Sequence, residues 1–398
     1  MAKYIRIRHF GPIAESGELD IKAVMVFCGQ QGSGKSTIAK LISTCSWIEK
    51  ALARKEITSK DLTGKSFRER FCGYHYLSSF FKEDTYIHYQ GERIELTYKY
   101  DSLFLEEKEE NYYHMPQIMY VPAERNFMVA VEQAEKIRNL PPSLVTMQQV
   151  FKKALNAGDY KIPIDGFSVH YDKLNKITWL HGKDYRLRLH EAASGLQSVI
   201  PLVVVSIYLS LMVEKGESHE MSAEELDKLQ REVNNILEDK NLTEALRRIL
   251  IERINKRYKN ECFLNIVEEP EQNLFPLSQR DVLHKLLTVF NANALNGLII
   301  TTHSPYVIDE LSLAVKAGTL LKKVTNNNIK EAIGRVLPVT SCLTAEQLSV
   351  YEIKDDGCVV ELPNYDGLPS DDNFLNASLM ESNERFNQLL EIEDGLEG

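Results

Sequence analysis

The chain has 398 residues, 43% hydrophobic and 26% charged, enough for one large domain or a few small ones around a real core. Its net charge of −10 argues against a broadly basic nucleic-acid face. Six scattered cysteines without a C-x-x-C pair argue against a disulfide framework or a zinc site and fit a reducing cytoplasm, and the strand-like opening MAKYIRIRHF lacks the apolar segment of a secretion signal.

Residues Lys3 to Phe27 read as two strands about a polar turn, then a buried strand, Val24 to Phe27, entering a glycine loop. The loop, Gly29-Gln30-Gln31-Gly32-Ser33-Gly34-Lys35-Ser36-Thr37, has Walker A spacing, and a helix is predicted from Lys35 to about Ala53. Glycines let backbone N–H groups curl round phosphates at a helix N-terminus. Lys35 then reaches the β- and γ-phosphates of ATP, and Ser36 binds Mg²⁺. A hairpin is predicted over Tyr86 to Tyr100 and a short buried strand over Gln117 to Pro122. Two helices broken by Pro141-Pro142 fill Phe127 to Ala157, and antiparallel strands follow, turning at Leu174-Asn175-Lys176 and His181-Gly182.

The most apolar run, Val199 to Val213, contains Pro201, Ser206 and Ser210 and falls short of the roughly twenty residues of a membrane span, so it reads as a buried core helix. A charged helical hairpin is predicted from Glu214 to Glu261, opened by a capping box of Ser222 and Glu225. Phe263 to Val267 and Gly297 to Thr302 read as buried strands separated by a helix, and the tail adds a hairpin at Asp355-Asp356-Gly357 and a helix near Asn383 to Leu390.

Three further stretches carry chemistry. FLNIVEEPEQNLFP is an apolar strand ending in adjacent carboxylates, which fits Glu268 in a Mg²⁺ shell and Glu269 polarising an attacking water. Ser194-Gly195-Leu196-Gln197 opens a helix and, taken alone, is an N-cap and first turn. ITTHSPY places His303 after a last strand, where a lone histidine is ordinarily a packed side chain.

In this order the motifs resemble the ABC-type ATPases, specifically the soluble branch of SMC-like, RecF-like and OLD-family proteins. ASGLQS is similar to their signature motif, EEPEQNLFP to their Walker B and D-loop, and TTHSPY to their switch-histidine strand. The resemblance spans Phe27 to Ser304. It implies that His303 senses the γ-phosphate, that Asn273 lies in the D-loop, and that Ser194, Gly195 and Gln197 complete the site of a partner subunit. Hydrolysis would then need a head-to-tail homodimer, or a higher assembly of such dimers, enclosing ATP. YVPAERNF resembles a stretch common in defence-associated members; Arg125 there either reaches nucleotide or the opposing subunit, or pairs with Glu124 or another surface acid. Gln117 and Gln90 are the candidates for the Q-loop glutamine.

The expected fold is α/β: an ABC-type head over residues 1–310 with an antiparallel β lobe and a helical lobe, helical inserts at 126–160 and 215–260, and an α+β extension over 311–398. No sustained heptads separate Walker A from the signature, unlike a coiled-coil SMC protein. After His303 there is no D-x-D and too little chain for the Toprim domain of OLD nucleases. The resemblance therefore points to the ATPase components of two-gene anti-phage systems of the PARIS or Septu type. It implies a separate effector, a nuclease from a neighbouring gene, a phage-encoded trigger, weak DNA binding and no membrane. The alternative is an SMC/RecF-like DNA-repair ATPase.

Overall fold

The computed structural model describes residues 3–108, 113–131, 137–216, 223–239, 242–323, 327–365, 368–370 and 373–396. The first layer is antiparallel: β1 (Tyr4–Phe10), β2 (Ile13–Asp20), β4 (Phe81–Gln90), β5 (Ile94–Lys99) and β6 (Ser102–Glu107) pair in the order β2-β1-β4-β5-β6. Between its second and third strands in sequence the chain makes β3 (Val24–Gly29) and helix α1 (Lys35–Ala53).

The central sheet is six-stranded, in the order β15-β14-β3-β13-β12-β7, with β7 Pro116–Val121, β12 Cys262–Glu268, β13 Gly297–Thr301, β14 Leu348–Ile353 and β15 Val359–Glu361. Every pairing is parallel except β14–β15. Parallel strands covered on both faces read as continuous apolar runs, and VMVFCG in β3 is buried at every position. Alternate residues serve different cores. Val24, Val26 and Cys28 face the larger one, which takes in α2 (Pro142–Ala157), α3 (Ser194–Lys215) and α6 (Pro276–Phe290). Met25 and Phe27 face the other, built from α1 and the antiparallel lobe. The two helices that open with Lys35 and Ser194 thus lie on opposite faces of one sheet.

A third sheet, β11-β10-β9-β8 (β8 Tyr160–Lys161, β9 Ser168–Asp172, β10 Ile177–His181, β11 Arg186–Arg188), leads into α3. By length and composition α3 could cross a membrane, with a mean hydropathy of 2.1. Here Val199 to Val205 are fully buried and the helix packs on β12, α2 and α6. The charged hairpin is α4 (Ala223–Glu238) and α5 (Glu244–Tyr258), the latter capped by Thr243 Oγ1 accepting from Leu246 N–H. Glu232 anchors it, taking Lys55 at 2.9 Å and Arg257 at 3.2 Å. Ser222 of the expected capping box lies outside the described residues, as does the side chain of Glu225.

The fold is α/β, with a mixed central sheet, an antiparallel β lobe and a helical lobe, as expected. Of the expected first helix after Phe127 the described residues show Phe127–Ala130, and residues 132–136 lie outside them. One detail differs from expectation. The segment after residue 310 carries α7 (Pro305–Lys323), α8 (Asn327–Val336) and α9 (Phe374–Leu396), but it also supplies β14, which pairs with the P-loop strand β3 from Leu348↔Val24 to Ile353↔Gly29. The central sheet therefore draws on both sides of residue 310.

Candidate active site

The glycine loop follows β3 without a break, and its geometry explains its residues. Gly29, Gly32 and Gly34 have φ of 139°, 79° and 112°, backbone that side chains disfavour. A Cβ on Gly29 would meet the Ile353 carbonyl oxygen at 2.5 Å, and one on Gly34 would meet Ile13 Cδ1 at 2.5 Å. The loop is pressed between β14 on one side and the β1–β2 turn on the other. Gln30 and Gln31 are exposed, Ser36 is half-buried and Thr37 is buried behind the loop. Gln30 Nε2 donates to Asp355 Oδ2 at 3.1 Å, so the tail hairpin touches the loop.

Lys35 Nζ folds back to donate to the carbonyls of Gly29 and Gln30, at 3.0 and 2.6 Å. Burial pushes its ammonium down to about 8, against the pull of Glu269, Cys28 and Glu271. The hydroxyl of Ser33 is buried without a partner. A lysine satisfied only by loop carbonyls, an orphaned hydroxyl and a strained glycine cradle fit a polyphosphate, which would supply the anionic acceptors these groups lack.

Three parallel strands deliver the rest. Glu268 ends β12 and is 4% exposed. Its Oε2 accepts from Ala123 N–H at 3.1 Å, and Lys40 of α1 stands 3.9 Å from Oε1. Ser36, in the first turn of that same helix, and Glu268 fit a Mg²⁺ shell of hydroxyl and carboxylate oxygens completed by water and phosphate. No His/Cys/Asp/Glu cluster able to hold a metal exists among the described residues.

Glu269 has φ of 44°, the left-handed region for a bulky residue, and strain of that kind persists only where surroundings enforce it. Its N–H donates to Thr301 O at 2.8 Å and its carbonyl accepts from Arg125 Nη2 at 2.7 Å. The result turns the carboxylate toward His303, with Oε1 3.4 Å from Nε2. His303 holds the Glu269 carboxyl below its ordinary value, with Lys35 and Arg125 assisting and burial opposing. A carboxylate kept ionised and half-buried is suited to accept a hydrogen bond from water.

Arg125 is the largest fully buried side chain. Its guanidinium donates to four backbone carbonyls: Nη1 to Glu268 at 2.6 Å and Pro122 at 3.2 Å, Nη2 to Glu269, and Nε to Ser198 at 3.0 Å. Neither expected role holds: it makes no pair with Glu124 among the described contacts and offers no surface to nucleotide or a partner, because it is fully buried with four of its five N–H donors bonded inside the chain. It ties the Walker B turn to helix α3. Burial lowers its value to about 10, and Glu271, Glu269 and Glu268 oppose that.

Ser194 is exposed at the start of α3. Gly195 leaves no room for a side chain, since a Cβ would lie 2.6 Å from the Asn273 carbonyl oxygen; Asn273 itself has φ of 60° and is exposed. Gln272 Oε1 accepts from Ser198 Oγ at 3.1 Å, a second strut between D-loop and α3. Gln197 is turned inward, its Nε2 donating to His190 and Ala192 carbonyls at 2.8 and 2.9 Å, so its amide N–H groups brace its own loop.

Sequence reasoning missed Glu271, which accepts from His303 N–H at 2.7 Å and Thr302 Oγ1 at 2.8 Å and so positions the histidine; the EEPE run was its only signal. Neither Q-loop candidate is at the site. Gln117 is the second residue of β7 and accepts from Asn260 Nδ2 at 2.9 Å, and Gln90 ends β4 in the antiparallel lobe. The loop after β7 instead presents Ala123 and Arg125.

No protein-family model and no curated protein matches the chain. Among solved structures it is similar to an SMC head domain from Thermotoga maritima, at 10% identity over 92% of this chain and 99% of that one, with a TM-score of 0.37. It is also similar to the recombination mediator protein RecF (11% identity, 91% and 98% of the two chains, TM-score 0.32) and to a nucleotide-free ATP-binding cassette from an ABC transporter (10%, 92% and 93%, TM-score 0.30). At such identities and scores these likenesses add nothing to the topology and site just described.

Proposed function

We propose that the chain is a Mg²⁺-dependent ATPase of ABC type that works as a head-to-tail homodimer and switches a separate effector, a nuclease from a neighbouring gene, in a bacterial anti-phage system. The observation that carries the ATPase reading is the meeting at one sheet edge of Lys35 over the glycine loop, Glu268 buried at a strand end, and Glu269 held in strained backbone against His303. Bound MgATP would supply a polarised phosphoanhydride bond and charge neutralisation. Lys35 would exchange its two loop carbonyls for phosphate oxygens, while Ser36 and Glu268 hold the ion. Glu269 orients the attacking water, and His303, fixed through Glu271, reports on the γ-phosphate.

The dimer reading rests on the motif resemblance, in which the signature serves the P-loop of another subunit; it is supported by Ser194 being exposed at the start of a helix on the opposite face of the central sheet from α1. The effector reading rests on motif resemblance; α4–α5 and the tail beyond Thr340 are its docking candidates, although β14 and Asp355 also serve the site itself. The SMC/RecF-like reading shares the same fold and site and predicts tight DNA binding, which the net charge of −10 disfavours.

The test is a pair of variants. Lys35→Ala abolishes ATP binding, whereas Glu269→Gln binds ATP and loses turnover by roughly a hundred- to ten-thousand-fold. Normal turnover by Glu269→Gln sinks the assignment. Copurification with the product of the adjacent gene tests the effector, and submicromolar binding of random duplex at physiological salt would favour the repair reading instead.

A further inference from the structure

A pocket of about 410 Å³ lies along the middle of α1, between that helix, β7, the turn carrying Phe71 to His75, and α2. Ser43, Trp47, Lys50 and Arg54 recur on one face of α1 and form its wall. Trp47 stands about 18 Å along the helix axis from Lys35, so the pocket is separate from the glycine loop.

Its chemistry is specific. The rings of Trp47, Phe71, Tyr74, His75 and Tyr120 line it, and Trp47 and Tyr74 are 40% and 37% exposed at its mouth. Lys50, Arg54 and Arg70 line it with one carboxylate, Glu56; Arg54 is buried and donates to the Arg257 carbonyl at 3.2 Å and Asn260 Oδ1 at 2.8 Å, whereas Arg70 is exposed. His75 is 5% exposed; its Nε2 meets Ser43 Oγ at 3.3 Å and its Nδ1 has no partner. A buried polar atom left unpaired at a cavity wall costs stability unless something binds there. Burial pushes the imidazole down to about 3, so the ring is neutral and can serve as donor or acceptor by tautomer.

We propose that this pocket is a second ligand site, for a small anion carrying a planar ring, of the nucleoside monophosphate class. The rings stack on the base, the exposed Arg70 guanidinium holds the phosphate, and His75 Nδ1 reads a polar edge. The pocket also has a physical route to the Walker B carboxylate. The His75 ring lies 4.6 Å from that of Tyr120, Lys40 Nζ sits 5.9 Å from the centre of the Tyr120 ring, and Lys40 is 3.9 Å from Glu268. Occupancy that shifts Tyr120 therefore changes the surroundings of Glu268.

The test uses the full-length Lys35→Ala protein, whose glycine loop is disabled, and titrates AMP, GMP, CMP and UMP by calorimetry. At least one binds once per chain with Kd below about 1 mM, and Trp47→Ala or Arg70→Glu weakens it at least tenfold. Both side chains are partly exposed, so these variants fold, as circular dichroism will check. The matching nucleoside and inorganic phosphate each bind at least tenfold more weakly; phosphate binding as tightly alone would remove the ring from the proposal. Silence from all four monophosphates, or binding indifferent to both variants, overturns it. So does Trp47 fluorescence that responds only to a copurifying protein, which would give the pocket to a protein partner. The readout is binding to a loop-disabled chain, so its failure leaves the ATPase reading standing.

Discussion

At the scale of single residues, Arg125 decides whether the catalytic turn holds its shape. Four carbonyls lose their donor in Arg125→Met, and each buried carbonyl left unpaired costs about 1–3 kcal/mol. The variant should melt earlier by several degrees and lose kcat far more than ATP affinity, because Lys35 and its loop are untouched. Equal losses in both, measured by steady-state kinetics and nucleotide titration, would show that Arg125 holds only the fold. The sequence made the places of Lys35, Glu268 and Glu269 legible, at a helix start and a strand end, because those places depend on neighbours within a few residues. It singled out Arg125 but hid its role, because a guanidinium that satisfies the backbone of Glu268, 143 residues away, leaves no local trace of that contact. Gln197 misled for a related reason: a glutamine at a helix start looks available until its amide is seen closing its own loop.

Among elements, the packing of α1 on the antiparallel lobe turns on one buried acid. Glu49 accepts from Tyr89 OH at 2.9 Å, Arg93 N–H at 2.6 Å and Ile94 N–H at 3.3 Å. Burial raises its carboxyl above the ordinary 4.5, and these hydrogen bonds only partly offset that. A raised carboxyl binds more protons folded than unfolded, so its contribution is full below about 4.5 and is lost as pH climbs through the folded value. Urea unfolding of wild type against Glu49→Gln should therefore favour wild type more at pH 5 than at pH 8; a constant difference would refute the linkage. Glu49→Ala, orphaning two N–H groups, should cost about 2–4 kcal/mol. Gly91→Ala should also destabilise, since its Cβ would run into the Glu49 carboxylate. Strands and helices were legible from periodicity, down to α1 beginning at Lys35 and the hairpin at Asp355 to Gly357. What periodicity could not give was the place of LSVYEI: its six buried positions mark a strand covered on both faces, but not that its neighbour is β3.

For the whole molecule, assembly should govern rate. If Ser194 completes a partner's site, ATP turnover per chain falls on dilution, and Ser194→Arg is inactive while still binding ATP. Mixing it with Lys35→Ala restores part of the activity where one composite site suffices. Turnover per chain independent of dilution, in a species shown by ultracentrifugation to be a monomer, would end the dimer reading. The pairing of β3 with β14 has a consequence of another kind, for how the protein is made. Lys22, just ahead of the P-loop strand, bonds the carbonyl of Leu348, 326 residues further on. At the usual 5–20 residues per second, a ribosome would take roughly 15–65 s to deliver that partner after β3 has emerged. Until then β3 keeps one unpaired edge and Gly29 lacks the Ile353 backbone that walls its loop. A nascent or prematurely terminated chain thus carries every motif of the first half yet no finished glycine-loop cradle until β14 has been made.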